Sequence, residues 1–197
     1  MIAILDYGMG NLRSVSKAFS KLGFDCIITS DPSCVMKADK LVIPGVGAFS
    51  KAIKTLREKC LDKVIFEFEK TNKPILGICL GMQLLFDKSY EFGEYEGLGI
   101  IKGSVEKFKC DLKIPHMGWN NIECTDNCTI LKNVNKEQVY FVHSYHVISD
   151  KKYASAYTNY GYDFICACQK NNVFGVQFHP EKSGEVGMKI LKNFGDL

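Results

Sequence analysis

Lys73-Pro74-Ile75-Leu76-Gly77-Ile78-Cys79-Leu80-Gly81-Met82-Gln83-Leu84-Leu85-Phe86 decides the fold. The apolar run around Ile75 to Ile78 reads as a short buried strand, and Met82 to Phe86 reads as the start of a helix. Between them stands a cysteine with a glycine two residues to either side, the thiol form of the G-x-S-x-G nucleophile elbow. So tight a turn admits only small neighbours and lifts the sulfur clear at the strand's carboxyl end. The helix N-terminus just behind it favours thiolate.

Toward the N-terminus, short apolar runs alternate with helical stripes, the pattern of a mainly parallel sheet flanked by helices. Strands are expected at 2–5, 25–29 and 40–43. Helices are expected at 11–22, where Leu12, Val15, Ala18, Phe19 and Leu22 make one apolar face, at 48–57, and at 61–70 after a break near Cys60. Gly23 closes the first helix. Toward the C-terminus, runs at 98–108, 120–124, 140–148, 153–157, 164–169 and 173–177 crowd together, which points to mixed or antiparallel pairing on one side. A helix at 183–194 ends the chain, with Ser183 at its N-cap and Glu185 in its first turn. No repeat, low-complexity tract or Pro/Gly/Ser linker interrupts residues 1–197, so one domain is expected.

The elbow has a partner far along the chain. His179-Pro180-Glu181 follows an apolar strand and offers a base and a carboxylate to hold it in one tautomer, so Cys79, His179 and Glu181 read as a Cys-His-Glu site for hydrolysis or acyl transfer. Pro44-Gly45-Val46-Gly47, directly after a strand, is the candidate oxyanion hole: the backbone at Val46 and Gly47 and the N–H of Leu80. This glycine pattern is neither GxGxxG nor a P-loop, which rejects nucleotide phosphate binding. His143 and His146 have no carboxylate close in sequence and read as packing or substrate contacts. His116, before Met117-Gly118-Trp119-Asn120, reads as core or partner surface. Lys51, Lys54, Lys59 and Lys63 read as solvated helix faces.

Composition is that of an ordinary globular protein, 46% hydrophobic and 24% charged. A net charge of +3 demands neither nucleic acid nor a membrane surface. Met1-Ile2-Ala3-Ile4-Leu5-Asp6 lacks the basic start and long apolar stretch of a signal peptide, and no window has the length of a membrane span, so a cytoplasmic location is expected. The nine cysteines are an odd number. Cys124 and Cys128 are spaced C-x₃-C, and Cys166 and Cys168 C-x-C, without a histidine at finger spacing. Most read as small buried hydrophobes, and no metal or cofactor is expected.

Taken together these motifs resemble class I, triad-type glutamine amidotransferases, and most closely the glutaminase subunits of imidazole glycerol phosphate synthases. The resemblance runs through Asp6-Tyr7-Gly8-Met9-Gly10-Asn11-Leu12, Pro44 to Phe49, Gly77 to Gln83, Pro115 to Asn120, Phe141 to Tyr145 and Gly175 to Ser183. It implies a flavodoxin-like amidotransferase fold. It also implies a reaction the residues alone leave open, glutamine to glutamate and ammonia through a γ-glutamyl thioester. By resemblance Gln83, Glu91 and the backbone at Ser144 and Tyr145 contact glutamine. Asn11, Trp119 and Tyr140 then face a (β/α)₈-barrel cyclase, the other half of a heterodimer that takes the ammonia through an internal channel for histidine biosynthesis. The turn at Pro44 to Gly47 is expected to rearrange when the cyclase binds its ligand. His146, where many relatives carry tyrosine, is a departure at the substrate edge. Near-identical glutaminases also serve sugar-amidating synthetases of surface-polysaccharide pathways. Cysteine peptidases or deglycases of related topology share the elbow, but often carry an acidic residue before it and lack His-Pro-Glu. A non-catalytic module would be expected to lose a triad member.

Overall fold

A computed structural model describes residues 1–126 and 129–197, so Cys128 lies outside the described residues. Its first half is a run of parallel strands joined by helices: β1 (Ile2–Leu5), α1 (Leu12–Lys21), β2 (Cys26–Thr29), α2 (Pro32–Lys37), β3 (Lys40–Gly45), α3 (Phe49–Glu58), α4 (Leu61–Lys70) and β4 (Ile75–Cys79). β1, β3 and β4 are apolar almost throughout because both faces of the sheet are covered, as parallel strands require. Gly23, at φ +85°, ends α1 as expected. The break near Cys60 is a left-handed residue, φ 55°. One helix escapes the sequence reading: α2, begun by Asp31, whose carboxylate accepts the Ser33 N–H at 2.9 Å.

After β4 come α5 (Leu80–Leu84), β5 (Phe86–Ser89), β6 (Tyr95–Glu96), β7 (Ile101–Lys107), β8 (His116–Asn121), β9 (Glu123–Cys124), β10 (Gln138–His143), β11 (Tyr145–Ile148), β12 (Ala154–Asn159), β13 (Asp163–Lys170), β14 (Val173–Val176) and α6 (Gly184–Gly195). The expected helix from Met82 to Phe86 is corrected. α5 stops at Leu84 and Phe86 opens a strand, because the Leu84 and Leu85 carbonyls accept the N–H groups of Leu98 and Ile101. The expected single strand at 140–148 divides at Ser144 into β10 and β11.

The main sheet runs β2-β1-β3-β4-β14-β13-β11-β7-β5-β6, parallel from β2 to β14 and antiparallel from β14 to β7. β5 pairs parallel with β7, and β12 and β9 extend β13. β8 and β10 form a separate antiparallel ribbon. Two apolar cores lie against the main sheet. One gathers α2, α3 and α4, and the other gathers α1 and α6 with Val139 and Phe141 of the ribbon.

Candidate active site

β4 delivers Cys79 at φ 54°, ψ −110°, a strained conformation outside the ordinary regions for a side-chain-bearing residue. The two glycines of the elbow have separate steric reasons. A Cβ on Gly77 would lie 2.7 Å from the backbone of Gly81 and Met82, and one on Gly81 would lie 1.7 Å from the Ile43 carbonyl oxygen. The elbow is therefore held against β3, and the register pairs Gly45 with Cys79. That puts the Pro44–Gly47 turn beside the sulfur. Gly47 has φ +100° and Val46 is exposed. Tyr7 Oη, fully buried, donates to the Pro44 carbonyl at 2.8 Å from beneath. Burial, with Cys79 nearby, pushes the Tyr7 hydroxyl pKa up and keeps it a donor.

β14 leads to His179, whose side chain is buried. Its Nδ1 lies 2.9 Å from Glu181 Oε1, a carboxylate also closed off from solvent. Burial alone would lower the imidazole pKa. Hydrogen bonds with Cys79 and with Glu181 outweigh it and hold His179 at about 9, so the ring carries its second proton at neutral pH. The backbone on either side is tied to the ribbon: His179 N–H donates to the Tyr140 carbonyl at 3.0 Å. Ser183 begins α6 as expected, but its hydroxyl makes no helix cap. It donates to the His179 carbonyl at 2.7 Å and accepts the Tyr140 N–H at 3.0 Å.

One cleft of about 320 Å³ brings the sequence-predicted residues together: Val46, Gly47, Cys79, Leu80, Gln83, Glu91, Ser144, Tyr145 and His179 all line it. Glu181 stands behind His179 rather than in the cleft. Glu91 accepts the Phe49 N–H at 2.5 Å, which ties it to the first residue of α3, just past the Pro44–Gly47 turn. Burial raises its pKa and that N–H lowers it, with a net rise. Gln83 donates to the Tyr145 carbonyl at 3.0 Å.

Trp119 and Tyr140 are opposed across the ribbon with ring centroids 6.0 Å apart, and Trp119 is 51% exposed. Asn11 stands at the start of α1, after a Gly10 packed on Pro44.

His143 also lines the cleft, but both its nitrogens are occupied. Nδ1 donates to the Tyr145 carbonyl at 2.8 Å, and Nε2 faces His116 Nδ1 at 3.1 Å. Burial pushes its pKa down to about 3, which makes the ring a poor proton acceptor beside His179. His116 is core: it is stacked on Tyr160 and Phe141, with Nε2 2.8 Å from Asn120 Oδ1. His146, read as a packing or substrate contact, packs in the aromatic core beside Phe108, lies 2.9 Å from Tyr162 Oη and does not line the cleft. Gln177 had no expected role. The signal for it was one polar side chain closing the apolar run Val173 to Val176, and it lies fully buried 3.7 Å from Cys79 Sγ. Among the described residues no group of three or more His, Cys, Asp or Glu could hold a metal ion, and no helix is long and apolar enough to cross a membrane.

A sequence-family model described as glutamine amidotransferase class-I matches residues 3–196. The chain is 51% identical to the imidazole glycerol phosphate synthase subunit HisH of Carboxydothermus hydrogenoformans over 198 residues, all of each chain. It is also 51% identical to the subunit of the same name from Sulfurimonas denitrificans, over 98% of this chain and 97% of that one. Among solved structures, PurLQS from Thermotoga maritima matches with a TM-score of 0.75 over 98% of this chain and 96% of the other, a likeness of fold at 20% identity. An elbow cysteine backed by His-Pro-Glu, on a sheet of this topology, agrees with a match over nearly the whole sequence: the chain belongs to the class-I glutamine amidotransferase family.

Proposed function

We propose that the chain is the glutaminase subunit of an imidazole glycerol phosphate synthase, acting as one unit over residues 1–197 in the cytoplasm and supplying ammonia for histidine biosynthesis. The observation that carries this reading is the line Cys79–His179–Glu181, whose first two members share a cleft with Gln83, Glu91, Ser144 and Tyr145. Full-length relatives at 51% identity that bear the synthase name support the pathway.

Glutamine lies in the cleft with its side-chain amide at Cys79. The sulfur attacks the amide carbon, and the resulting oxyanion is met by backbone donors at Val46, Gly47 and Leu80. His179, which holds a proton at neutral pH, gives it to the departing nitrogen; the C–N bond breaks, leaving ammonia and a γ-glutamyl thioester. The imidazole then takes a proton from water as the water attacks the thioester. Glutamate leaves and the sulfur is restored. Glu181 fixes the ring tautomer through Nδ1.

The ammonia passes to a (β/α)₈-barrel cyclase docked on the Trp119–Tyr140 face and near Asn11. The Tyr140 backbone is bonded to His179 and Ser183, so docking bears directly on the base. The free chain should hydrolyse glutamine slowly, and cyclase loaded with its nucleotide ligand should accelerate it by orders of magnitude. A rate that ligand-loaded cyclase leaves unchanged sinks the gated-subunit reading. Cys79→Ala should abolish glutamine use while ammonium still supports synthesis by the complex.

A further inference from the structure

Four polar groups beneath the cleft form a chain whose direction leaves no choice. The Tyr145 carbonyl only accepts, so the group of Gln83 3.0 Å away is its NH₂. The second hydrogen of that NH₂ goes to Gln177 Oε1 at 2.9 Å. With its oxygen used, Gln177 presents its own NH₂ to Cys79 Sγ at 3.7 Å. The reverse placement would set two NH₂ groups against each other and aim a carbonyl oxygen at the sulfur. The backbone fixes the residue as well: Gln177 N–H donates to the Cys166 carbonyl at 2.8 Å. It follows a strand whose last pair with β4 is Val176 opposite Ile78, so it falls level with Cys79.

We propose that Gln177 is a further catalytic residue, an amide donor that holds the Cys79 sulfur and stabilises it as thiolate. A buried side-chain NH₂ in place of water is a poor donor to neutral sulfur and a better one to an anion, because a hydrogen bond to a charged group is the stronger kind. The donor is already oriented before glutamine arrives, so no reorganisation accompanies attack. Gln83 thereby acquires a second task. Besides facing substrate, it pins Gln177 with the oxygen turned away from the sulfur.

The inference rests on Cys79 being the nucleophile, and its test does not use turnover. The full-length chain and its Gln177→Leu variant are alkylated with iodoacetamide from pH 5 to pH 10, and the Cys79 peptide is followed by mass spectrometry because the chain has nine cysteines. Gln177→Leu should slow Cys79 alkylation about tenfold near neutral pH, the weak end of a hydrogen bond to a charged group, and recover the wild-type rate at high pH. Superimposable profiles in a folded variant overturn the proposal. Should the buried Leu prevent folding, Gln83→Met decides: it leaves Gln177 in place but unpinned and must shift the profile the same way, and an unmoved profile overturns the proposal. Glutamine hydrolysis persisting in Cys79→Ala would instead defeat the nucleophile reading itself.

Discussion

Alanine at Gly81 should damage this protein more than alanine at Gly77, although both sit two residues from Cys79 and neither has an unusual φ. The reason is what each methyl meets. At Gly77 the nearest atoms lie 2.7 Å away, in the backbone of Gly81 and Met82; at Gly81 the Ile43 carbonyl oxygen is 1.7 Å away and its carbon 2.8 Å. Ordinary contact begins at 3.4 Å, so the shortfall is about 0.7 Å for Gly77 and about 1.7 Å for Gly81. All these obstacles are backbone, which cannot rotate aside. β3 is held on both flanks, by β1 and by β4, so α5 must give way and carry Leu80 and Cys79 from the Pro44–Gly47 turn.

Overpacking a core typically costs about 1–3 kcal/mol. Gly77→Ala belongs at about 1–2 kcal/mol, and Gly81→Ala at about 3 kcal/mol or beyond, because its deficit exceeds what side-chain adjustment absorbs. For a chain of this length 1 kcal/mol moves Tm by about 2–4 °C, so Gly81→Ala should melt roughly 10 °C below wild type. Urea titration and far-UV circular dichroism melts give both numbers. Activity should fall further than stability, since a displacement of about 1 Å at a reacting centre can cost about 100-fold. A Gly81→Ala protein within 1 kcal/mol of wild type, or one more stable than Gly77→Ala, refutes the packing argument.

Glu181→Gln keeps the shape behind His179 and removes the charge. His179, held at about 9 against burial by Cys79 and Glu181, should then lose its proton at lower pH, and the alkaline limb of kcat/KM should move acidward. Because the folded-state pKa is raised, His179 stabilises the wild type fully below about 6.5 and loses that contribution as pH rises toward 9. The stability margin over Glu181→Gln, measured by urea titration, should therefore narrow across that range; a constant margin would show that the carboxylate does not hold the proton. Trp119→Ala removes an indole that is half exposed against Tyr140. It should weaken cyclase binding about 30-fold in calorimetry, the size of an interface hot spot, and leave the melting temperature of the free chain nearly unchanged. Equal affinity would place the docking face elsewhere.

The parts of this molecule that were legible in the sequence are those whose cause is local. β4 and the elbow follow from a buried apolar run and two glycines, and His179 and Glu181 are two residues apart, so their pairing needs no knowledge of the fold. What sequence pattern missed depends on pairing at a distance. Nothing within Leu84-Leu85-Phe86 stops a helix; it stops because Leu98 and Ile101 take the carbonyls. Tyr140 to Ile148 contains neither glycine nor proline. Its break at Ser144 exists because β10 belongs to the ribbon with β8 while β11 joins β7 and β13. His146 illustrates the consequence: on β11 it faces Phe108 and Tyr162, whereas Tyr145, one residue earlier, reaches the cleft.

The same division applies to the chemistry. The groups that react are named by motifs, but the groups that hold them come from remote register. Tyr7 reaches Pro44 from β1's end, Gln177 reaches Cys79 because β14 lies beside β4, and Tyr140 reaches His179 from the ribbon strand β10. Two of these supports lie within the main sheet and are fixed by its folding. The third runs through the ribbon, whose Trp119 and Met117 side chains are exposed. A partner bound there would reach His179 through the Tyr140 backbone, and of the triad's two halves the base is the one tied to the ribbon.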